Sequence, residues 1–389
     1  MKKVCLIVDS IFTIGGVQRV TAVVAGALTK DYNVTIITFD NPQKKDLSLY
    51  ELGDYPINYK FISYPSVPDS KRKFCKAYSY LYRKILPKCN ITSDLYAHSS
   101  FPIERRNALI QILKEGEYDT IIAVHSFLAI RLATIRKSLG KAKTIGWIHN
   151  SFEALTREGS PYLGKELEYH YGRQLQKLDK TVVLYKKDAD MYQQKYGYLP
   201  TVIYNPLTLK PGTPSIGCNK RFLAVGRFTP GHKGFDLLIQ AFGLFTKNNS
   251  EWKLDIVGDG PEKEKLQQMI TEQNLENRIT LHPFTNNIQD YYSVASIYVL
   301  SSRWEGMPLV LVEAMSHGLP IVTSDIPVCQ EILGEFGIYF ENGNIRNLAQ
   351  RLEDSTKINW QAKSEEALKI AQRFDISQII EQWKKLIEV

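Results

Sequence analysis

The chain lacks several features that define whole classes of protein. Among its 389 residues no apolar run reaches 18, and the first apolar run, Val4–Val8, is interrupted by Asp9, so neither a membrane span nor a signal peptide is predicted. Its five cysteines are scattered without a C-x-x-C pair, which favours free buried thiols over disulfides or zinc. Neither zinc-finger spacing nor an RNP-like motif occurs. We therefore expect a cytoplasmic protein without metal or nucleic acid.

The composition that is present indicates a globular chain of two domains. Hydrophobic residues make up 44% and charged residues 23%, and the length exceeds what one hydrophobic core usually supports. The net charge of +8 is unevenly divided. The first 204 residues hold 30 Lys and Arg against 19 Asp and Glu, whereas the rest hold 19 against 22.

The excess positive charge includes one stretch of seven cations without an intervening acid. Aromatic residues such as Phe74 and Tyr80 lie among these cations. A stretch of this kind can lie on the anionic surface at the inner face of the membrane, or it can be an ordinary solvated helix. The cations are Lys71, Arg72, Lys73, Lys76, Arg83, Lys84 and Lys88.

Short β-rich runs alternate with helical patterns along the chain, which predicts an α/β fold of two doubly wound, Rossmann-like domains. A segment rich in helix and strand breakers at 205–220 is the predicted linker between domains at 1–204 and 221–373, and a final helix occupies 374–389. The predicted strands are Val4–Val8, Val34–Phe39, Asn58–Ile62, Thr120–His125, Thr144–His149, Thr181–Tyr185 and Thr201–Tyr204, then Phe222–Val225, Leu254–Val257, Ile279–His282, Ile297–Leu300, Ile321–Thr323 and Ile338–Phe340.

The most specific segment begins where the strand Ile297–Leu300 ends. Pro308 predicts a helix start and Gly318 its stop. Apolar residues between them surround the helix and leave Glu313 as its single charge, which is typical of a buried helix. A buried carboxylate needs hydrogen-bond donors, and ribose hydroxyls would serve. Glu305, in the preceding turn, is placed to accept hydrogen bonds from a hexose. The alternative is that Glu313 pairs with an arginine in the core and Glu305 faces solvent.

Free N–H groups at the start of this helix, on Leu309 and Val310, form an anion site together with the helix dipole. Upstream, Arg227 and Lys233 flank a glycine-rich loop that follows the first strand of the second domain. Two cations beside such a loop suit a diphosphate, although both are also common as surface charges. The turn 258–261 is most simply a strand-to-helix turn.

The first domain carries weaker signals. Gly16 opens a helix after the first strand, but the G-x-G-x-x-G pattern of nicotinamide cofactor sites is absent, even though Asp40 imitates their ribose-binding acid. His125 and His149 end predicted strands, and either histidine could be structural. Asp188 and Asp190 have D-x-D spacing within a helical pattern, so we interpret both as solvated. No hydrolase triad and no H-E-x-x-H motif occurs.

The chain resembles the retaining glycosyltransferases of family 4, which have the two-domain GT-B architecture with a cleft between domains. The motifs that carry this resemblance occur in order in one domain: Gly226-Arg227 to Lys233-Gly234, the turn 258–261, and Glu305 followed by Glu313. The resemblance spans the whole chain. It implies a final helix that crosses back to the first domain and a donor that is a nucleotide-diphosphate sugar. A UDP-sugar is favoured, and no cofactor or metal is implied.

The resemblance also implies roles for individual residues. Arg227 and Lys233 would hold the diphosphate, Glu313 the ribose, and Glu305 the donor sugar, while His149 would lie by the reacting sugar. Supporting contacts would come from Gly16 for the phosphate, Phe284 for the base, and the backbone of Gly306, Met307, Leu309 and Val310.

The expected function is transfer of a hexose or N-acetylhexosamine to a glycan or lipid-linked acceptor in cell-surface polysaccharide or glycoconjugate synthesis. A sugar-nucleotide epimerase of the same architecture and a non-catalytic sugar-nucleotide-binding protein are the alternatives. Incubation of the donor without acceptor separates the epimerase from the transferase.

Overall fold

Parallel strands alternate with helices throughout the computed structural model, which describes residues 1–210 and 212–388. Pro211, in the predicted linker, and Val389, at the end of the predicted last helix, lie outside the described residues. The strands are β1 (Lys3–Val8), β2 (Asn33–Thr38), β3 (Asn58–Phe61), β4 (Thr120–Val124), β5 (Lys143–Trp147), β6 (Lys180–Val183), β7 (Thr201–Val202), β8 (Arg221–Val225), β9 (Lys253–Val257), β10 (Ile279–His282), β11 (Ile297–Leu300), β12 (Ile321–Ser324) and β13 (Ile338–Phe340).

Helices connect nearly all of these strands, as the sequence predicts for doubly wound sheets. The α-helices are α1 (Gly16–Leu28), α2 (Asp69–Lys84), α3 (Asn90–Ser100), α4 (Ile103–Gly116), α5 (Ser126–Ile135), α6 (Phe152–Thr156), α7 (Glu168–Leu175), α8 (Lys186–Tyr196), α9 (Phe235–Phe245), α10 (Lys263–Glu272), α11 (Ile288–Val294), α12 (Leu309–Ser316), α13 (Pro327–Leu333), α14 (Ile345–Ser355), α15 (Trp360–Ala371) and α16 (Ile376–Glu388).

The first sheet has the strand order β3-β2-β1-β4-β5-β6-β7, and all its pairs are parallel. Its central strand β1 is apolar on both faces because helices cover the sheet on both sides. Helix α1 buries Val20, Val24 and Leu28, which share one face of the helix because they are spaced four residues apart. The strand order reverses between β1 and β4, so their carboxyl ends flank the place where ligands bind in open α/β sheets.

The second sheet has the order β10-β9-β8-β11-β12-β13, again with parallel pairs only. Aromatic residues fill its core: the ring centroids of Phe222 and Trp252 are 4.7 Å apart, and Phe222 also meets Phe245 at 5.4 Å. Here the order reverses between β8 and β11. The loops that follow these two strands therefore share one edge of the sheet.

The chain divides into two units, Met1–Pro206 with the residues from Ile376 onward, and Leu207–Asp375. Helix α16 packs in the first unit, where Trp383 is buried with its ring 4.7 Å from that of Trp147. Part of the segment predicted as a linker is packed in the second unit. The Leu207 N–H donates to the Phe374 carbonyl over 2.7 Å, and Ser215 is buried.

Two expectations from the sequence are wrong in part. All five cysteines are free, but only Cys5 and Cys329 are buried, and Cys218 is exposed. Asp188 is not solvated: it is buried and accepts a 2.6 Å hydrogen bond from the Phe152 N–H. The D-x-D spacing places Asp190 on the exposed side of α8, and the buried acid instead holds the start of α6.

Among the helices of the described residues, none combines the length and the apolar character that crossing a bilayer requires. The basic stretch forms α2 and the turn after it. Several of its cations are paired within the molecule: Lys71 lies 2.6 Å from Glu104, and Arg72 lies 2.7 Å from Asp69.

Candidate functional site

The loops after β8 and β11 meet at the edge where the second sheet reverses its strand order. The Lys233 Nζ donates to Glu305 Oε1 over 2.6 Å, and Ser301 Oγ donates to the Lys233 carbonyl over 2.8 Å. The Arg303 N–H donates to the His232 carbonyl over 2.8 Å. The structure thus brings together Lys233 and Glu305, which are 72 residues apart in the sequence.

Glu305 is a buried carboxylate with several compensating neighbours. Its side chain is 8% exposed, and Ser302 Oγ donates to the same oxygen as Lys233, over 2.6 Å. Burial raises the pKa of Glu305, but Lys233, His232 and Ser302 outweigh burial and hold the pKa below its ordinary value. Glu305 is therefore ionised at neutral pH. The alternative that Glu305 faces solvent is wrong.

The walls of this site are fixed by aromatic and ionic contacts. The rings of His232 and Trp304 stack with centroids 4.9 Å apart and planes 8° apart, and His232 Nε2 lies 2.9 Å from the Trp304 carbonyl oxygen. The Arg303 guanidinium makes two hydrogen bonds to Asp236 of α9, of 3.0 and 2.7 Å. These contacts tie the two loops to each other and to α9.

Two glycines allow neighbouring loops at this edge of the sheet to approach each other closely. Gly234 has φ of +65°, and a Cβ there would lie 2.0 Å from the Ser301 carbonyl oxygen. A Cβ at Gly258, after β9, would lie 1.9 Å from the carbonyl oxygen of Gly226. Gly258 therefore sets the path of the loop that carries Arg227, which gives the turn 258–261 a clear structural role.

Helix α12 begins at Leu309 with Pro308 at its N-cap, which confirms the predicted start, and residues 311–316 are buried. Glu313 is 2% exposed, and its Oε2 accepts a 3.0 Å hydrogen bond from the Tyr292 hydroxyl. The Thr208 Oγ1 lies 3.4 Å from Glu313 Oε1. Each oxygen of this buried carboxylate thus has a protein hydroxyl group within hydrogen-bond distance.

The remaining predicted site residues of this unit differ in exposure. Arg227 is exposed, and it forms no ion pair with any residue in the part of the chain that the structure describes. Phe284, after β10, is 49% exposed. The turn between β11 and α12 is mixed: Met307 is buried, and Gly306, Leu309 and Val310 are partly exposed.

Sequence reasoning missed the residues that hold the carboxylates. Ser302 precedes Arg303 and His232 precedes Lys233 in the sequence. Both side chains contact Glu305, and the contact from His232 forms only when the two loops meet. Tyr292 comes from α11, and the spacing of 21 residues to Glu313 carries no periodic signal. A hydroxyl partner for a predicted buried acid could have been expected, but its position could not.

Two predicted site residues lie in the first unit: His149 follows β5, and Gly16 is the first residue of α1. His149 is buried against the ring of Trp147 at 4.5 Å, and its Nε2 has no hydrogen-bond partner among the described residues. Burial lowers the pKa of His149 well below its ordinary value, so the imidazole is neutral at pH 7. Gly16 is exposed at the start of α1.

Asp40 has a structural role in the loop after β1. Its carboxylate accepts hydrogen bonds from Ser10 Oγ, the Ile11 N–H and Thr38 Oγ1, over 2.6, 2.8 and 2.7 Å, and from the Phe12 N–H. Both oxygens are engaged within the protein. This arrangement explains why an acid occurs here without the glycine pattern of a nicotinamide site.

Family models match almost the entire chain. Residues 14–210 match the model described as Glycosyltransferase Family 4, and residues 211–373 match the one described as Glycosyl transferases group 1. An uncharacterized glycosyltransferase of Haemophilus influenzae is 28% identical over 401 residues and is covered completely, as is this chain. The amylovoran biosynthesis glycosyltransferase AmsD of Erwinia amylovora is 25% identical, with 84% of this chain and 81% of AmsD covered.

Solved structures with low sequence identity share the fold. Anabaena HepE in complex with UDP and glucose superimposes with a TM-score of 0.74 at 18% identity, with both chains covered completely. An S. aureus TarM variant in complex with fondaparinux, α-GlcNAc-glycerol and UDP gives 0.71 at 16% identity, again over both whole chains. With its two doubly wound sheets of GT-B type and family matches in both halves, the chain belongs to glycosyltransferase family 4.

Proposed function

We propose that the protein is a retaining glycosyltransferase that moves a hexose or N-acetylhexosamine from a UDP-sugar to a glycan or lipid-linked acceptor. The observation that carries this proposal is the buried Lys233–Glu305 pair at the reversal point of the second sheet. The solved HepE and TarM structures named above contain UDP, which supports UDP as the nucleotide. AmsD acts in the synthesis of amylovoran, which supports a role in polysaccharide synthesis.

Lys233 can serve both Glu305 and a phosphate. An ammonium group has three donors, and the 2.6 Å bond to Glu305 uses one of them. In the proposed complex a phosphate oxygen takes another, the exposed Arg227 supplies a guanidinium fork, and the N–H groups of Leu309 and Val310 complete the site. Glu305 accepts hydroxyl groups of the donor sugar, and Glu313 those of the ribose.

This arrangement of charge suits departure of a nucleoside diphosphate. As the glycosidic bond breaks, negative charge grows on the diphosphate, and fixed cations and helix N–H groups stabilise it without reorganisation. We propose that these groups replace a divalent metal. Retention of configuration then follows from attack by the acceptor hydroxyl on the face that the leaving group vacates, with the hydroxyl proton passing to the departing diphosphate. An NMR assignment of an inverted product would reject this part of the proposal.

Thermal unfolding with a panel of UDP-, GDP- and ADP-sugars in EDTA tests the donor site. A ligand at one hundred times its Kd stabilises the folded state by about 2.7 kcal/mol, or roughly 5 to 10 °C for a unit of this size. We expect Arg227→Ala to erase the shift produced by the best ligand and leave the unliganded Tm nearly unchanged. Lys247→Ala, which removes an exposed cation elsewhere in the same unit, is the matched control.

A wild-type shift that requires Mg²⁺ instead of surviving EDTA would contradict metal independence, and no shift with any nucleotide sugar would contradict the donor assignment. Incubation of the best donor without acceptor discriminates between the remaining classes. An epimerase converts the donor alone, a transferase produces glycoside only when acceptor is present, and a non-catalytic binder produces neither.

We further propose that α2 attaches the enzyme to the anionic inner face of a membrane. The cations of α2 with no ion pair among the described residues are Lys73, Lys76 and Lys84, and Phe74 and Tyr80 beside them are 71% and 63% exposed. Exposed aromatic side chains and cations on one helix surface are typical of interfacial binding.

Liposome flotation tests this location. Glu replacement of Lys73, Lys76 and Lys84 should abolish binding to vesicles with anionic lipid, each cation contributing on the order of 1 kcal/mol. Replacement of the exposed Lys137 and Lys141 outside α2 should leave binding unchanged. Equal binding of the two variants would remove this claim and leave the donor site untouched.

A further inference from the structure

Two arginines converge on one tyrosine in the first unit. The Arg131 Cζ, on α5, lies 5.3 Å from the ring centroid of Tyr64, and the Arg105 Cζ, in the first turn of α4, lies 5.8 Å from it. Tyr64 follows β3, and α5 begins two residues after β4 ends. The pair therefore lies toward the carboxyl edge of the first sheet.

Aromatic rings hold Arg131 in place. Its Cζ is 3.9 Å from the centroid of Phe127, one helical turn earlier, and 5.4 Å from that of Phe101. The negative faces of these rings attract a guanidinium but do not neutralise its charge. Phe127 is 52% exposed, and Arg105 and Arg131 are themselves partly exposed.

Among the described residues, no carboxylate lies within ion-pair distance of either arginine. Neither Arg105 nor Arg131 forms an ion pair with any of the residues described, and the Arg105 Nε is buried without a hydrogen-bond partner there. Other arginines of this unit form ion pairs with carboxylates, as Arg173 does with Asp94 at 2.6 Å. Burial lowers the pKa of Arg131, Tyr64 and Asp9 act in the opposite direction, and the like charge of Arg105 adds a smaller lowering. An oxyanion would relieve their repulsion.

The surroundings also suit a ligand that carries hydroxyl groups. Asp9 follows β1 and His125 follows β4, the two strands between which the first sheet reverses. The Asp9 charge acts on both His125 and Arg131. His125 adopts φ of +86°, an uncommon conformation for a residue with a side chain, and such strain concentrates at functional sites.

We infer that Arg105 and Arg131 bind an oxyanion, a phosphate or a carboxylate, carried by the acceptor. This inference rests on the proposed function, since it names the chemical class of the acceptor. Each guanidinium presents N–H donors in a planar fork that matches two oxygens of such a group. Asp9 is placed to accept hydrogen bonds from the hydroxyl groups of the same molecule.

NMR titration of the arginine Nε–Hε signals tests the inference without the true acceptor. Glycerol 3-phosphate, methyl β-D-glucuronide and methyl β-D-glucoside are the phosphate, carboxylate and neutral probes. We expect saturable shifts of Arg105 and Arg131 with one or both anionic probes and none with the glucoside. Arg131→Gln and Arg105→Gln should each weaken binding at least about tenfold, as expected for loss of a charge-assisted bond.

The control Lys137→Gln removes an exposed cation just beyond α5 and should bind the anionic probes as the wild type does. Arg131→Lys keeps the charge without the fork and should fall between wild type and Arg131→Gln. Equal shifts with the neutral glucoside, or unchanged affinity in both Gln variants, would overturn the inference. Because nucleotide-sugar shifts are measured separately, loss of the donor site alone would refute the proposed function and leave this result interpretable.

Discussion

Replacement of Lys233 by Met removes the positive partner of a buried carboxylate and nearly preserves side-chain length. The side chains of Lys233 and Glu305 are 17% and 8% exposed, so water screens the pair little. Breaking a buried pair by removing one partner typically costs 3 to 5 kcal/mol. Because Ser302 and His232 still contact Glu305, we expect a loss near the lower end, about 3 kcal/mol at pH 7.

The contribution of Glu305 to the free energy of unfolding should depend on pH in opposite directions in the wild type and in the Lys233→Met variant. In the wild type the folded pKa of Glu305 lies below its ordinary 4.5, so the stabilisation is present above pH 4.5 and is lost as the pH falls through the folded value. Without Lys233, burial is the largest remaining influence and should raise the folded pKa above 4.5. The variant then loses stability as the pH rises, and its deficit is smallest near pH 4.

Urea unfolding between pH 4 and 8, followed by tryptophan fluorescence to which Trp304 beside the site contributes, provides the measurement. Lys220→Met is the matched control, since Lys220 pairs with Glu251 at 3.3 Å on the surface of the same unit with both side chains about half exposed. That change should cost less than about 1 kcal/mol. A Lys233→Met loss as small as that of the control, or one independent of pH, would refute the electrostatic account of Glu305.

Three further changes probe other contacts. Gly258→Ala places a Cβ 1.9 Å from the Gly226 carbonyl oxygen and should destabilise the second unit by several kcal/mol, seen by calorimetry as loss of one transition with the other retained. Asp188→Ala leaves the buried Phe152 N–H without an acceptor and should cost about 1 to 3 kcal/mol in urea; a neutral result would contradict its capping role. Burial raises the pKa of Asp40, but four hydrogen bonds lower it by more, so the pKa lies below its ordinary value. The wild type should therefore be more stable than Asp40→Asn above pH 4, and this advantage should shrink below pH 4 in thermal melts.

Local patterns in the sequence predicted the strands well. Three strands of the second sheet, Ile279–His282, Ile297–Leu300 and Ile338–Phe340, have the bounds that the apolar runs predict. In the first sheet the runs after β1 extend too far at their carboxyl ends, as at His149, which lies two residues beyond β5. Hydrophobic periodicity marks burial, and the loops that leave a buried sheet edge remain buried for a few residues after pairing stops.

The segment predicted as a linker shows where composition misleads. Residues 205–220 are rich in Pro and Gly, which ends regular structure but does not determine exposure. Ser215 is buried, and its N–H donates to the His317 carbonyl over 3.0 Å. Asp188 was misjudged for a similar reason, because an acid in a polar helical pattern gives no sign that a distant N–H will approach it.

The α/β alternation, the buried helix around Glu313 and the family depend on residues close together along the chain, so local patterns are enough to predict them. Contacts between distant residues are visible only in the folded chain: Lys233 and Ser302 meet Glu305, Tyr292 reaches Glu313, and two arginines share Tyr64. The physical reason is that a side chain's partners depend on how strands are ordered in a sheet. Loops far apart in sequence become neighbours at its carboxyl edge only once that order is set.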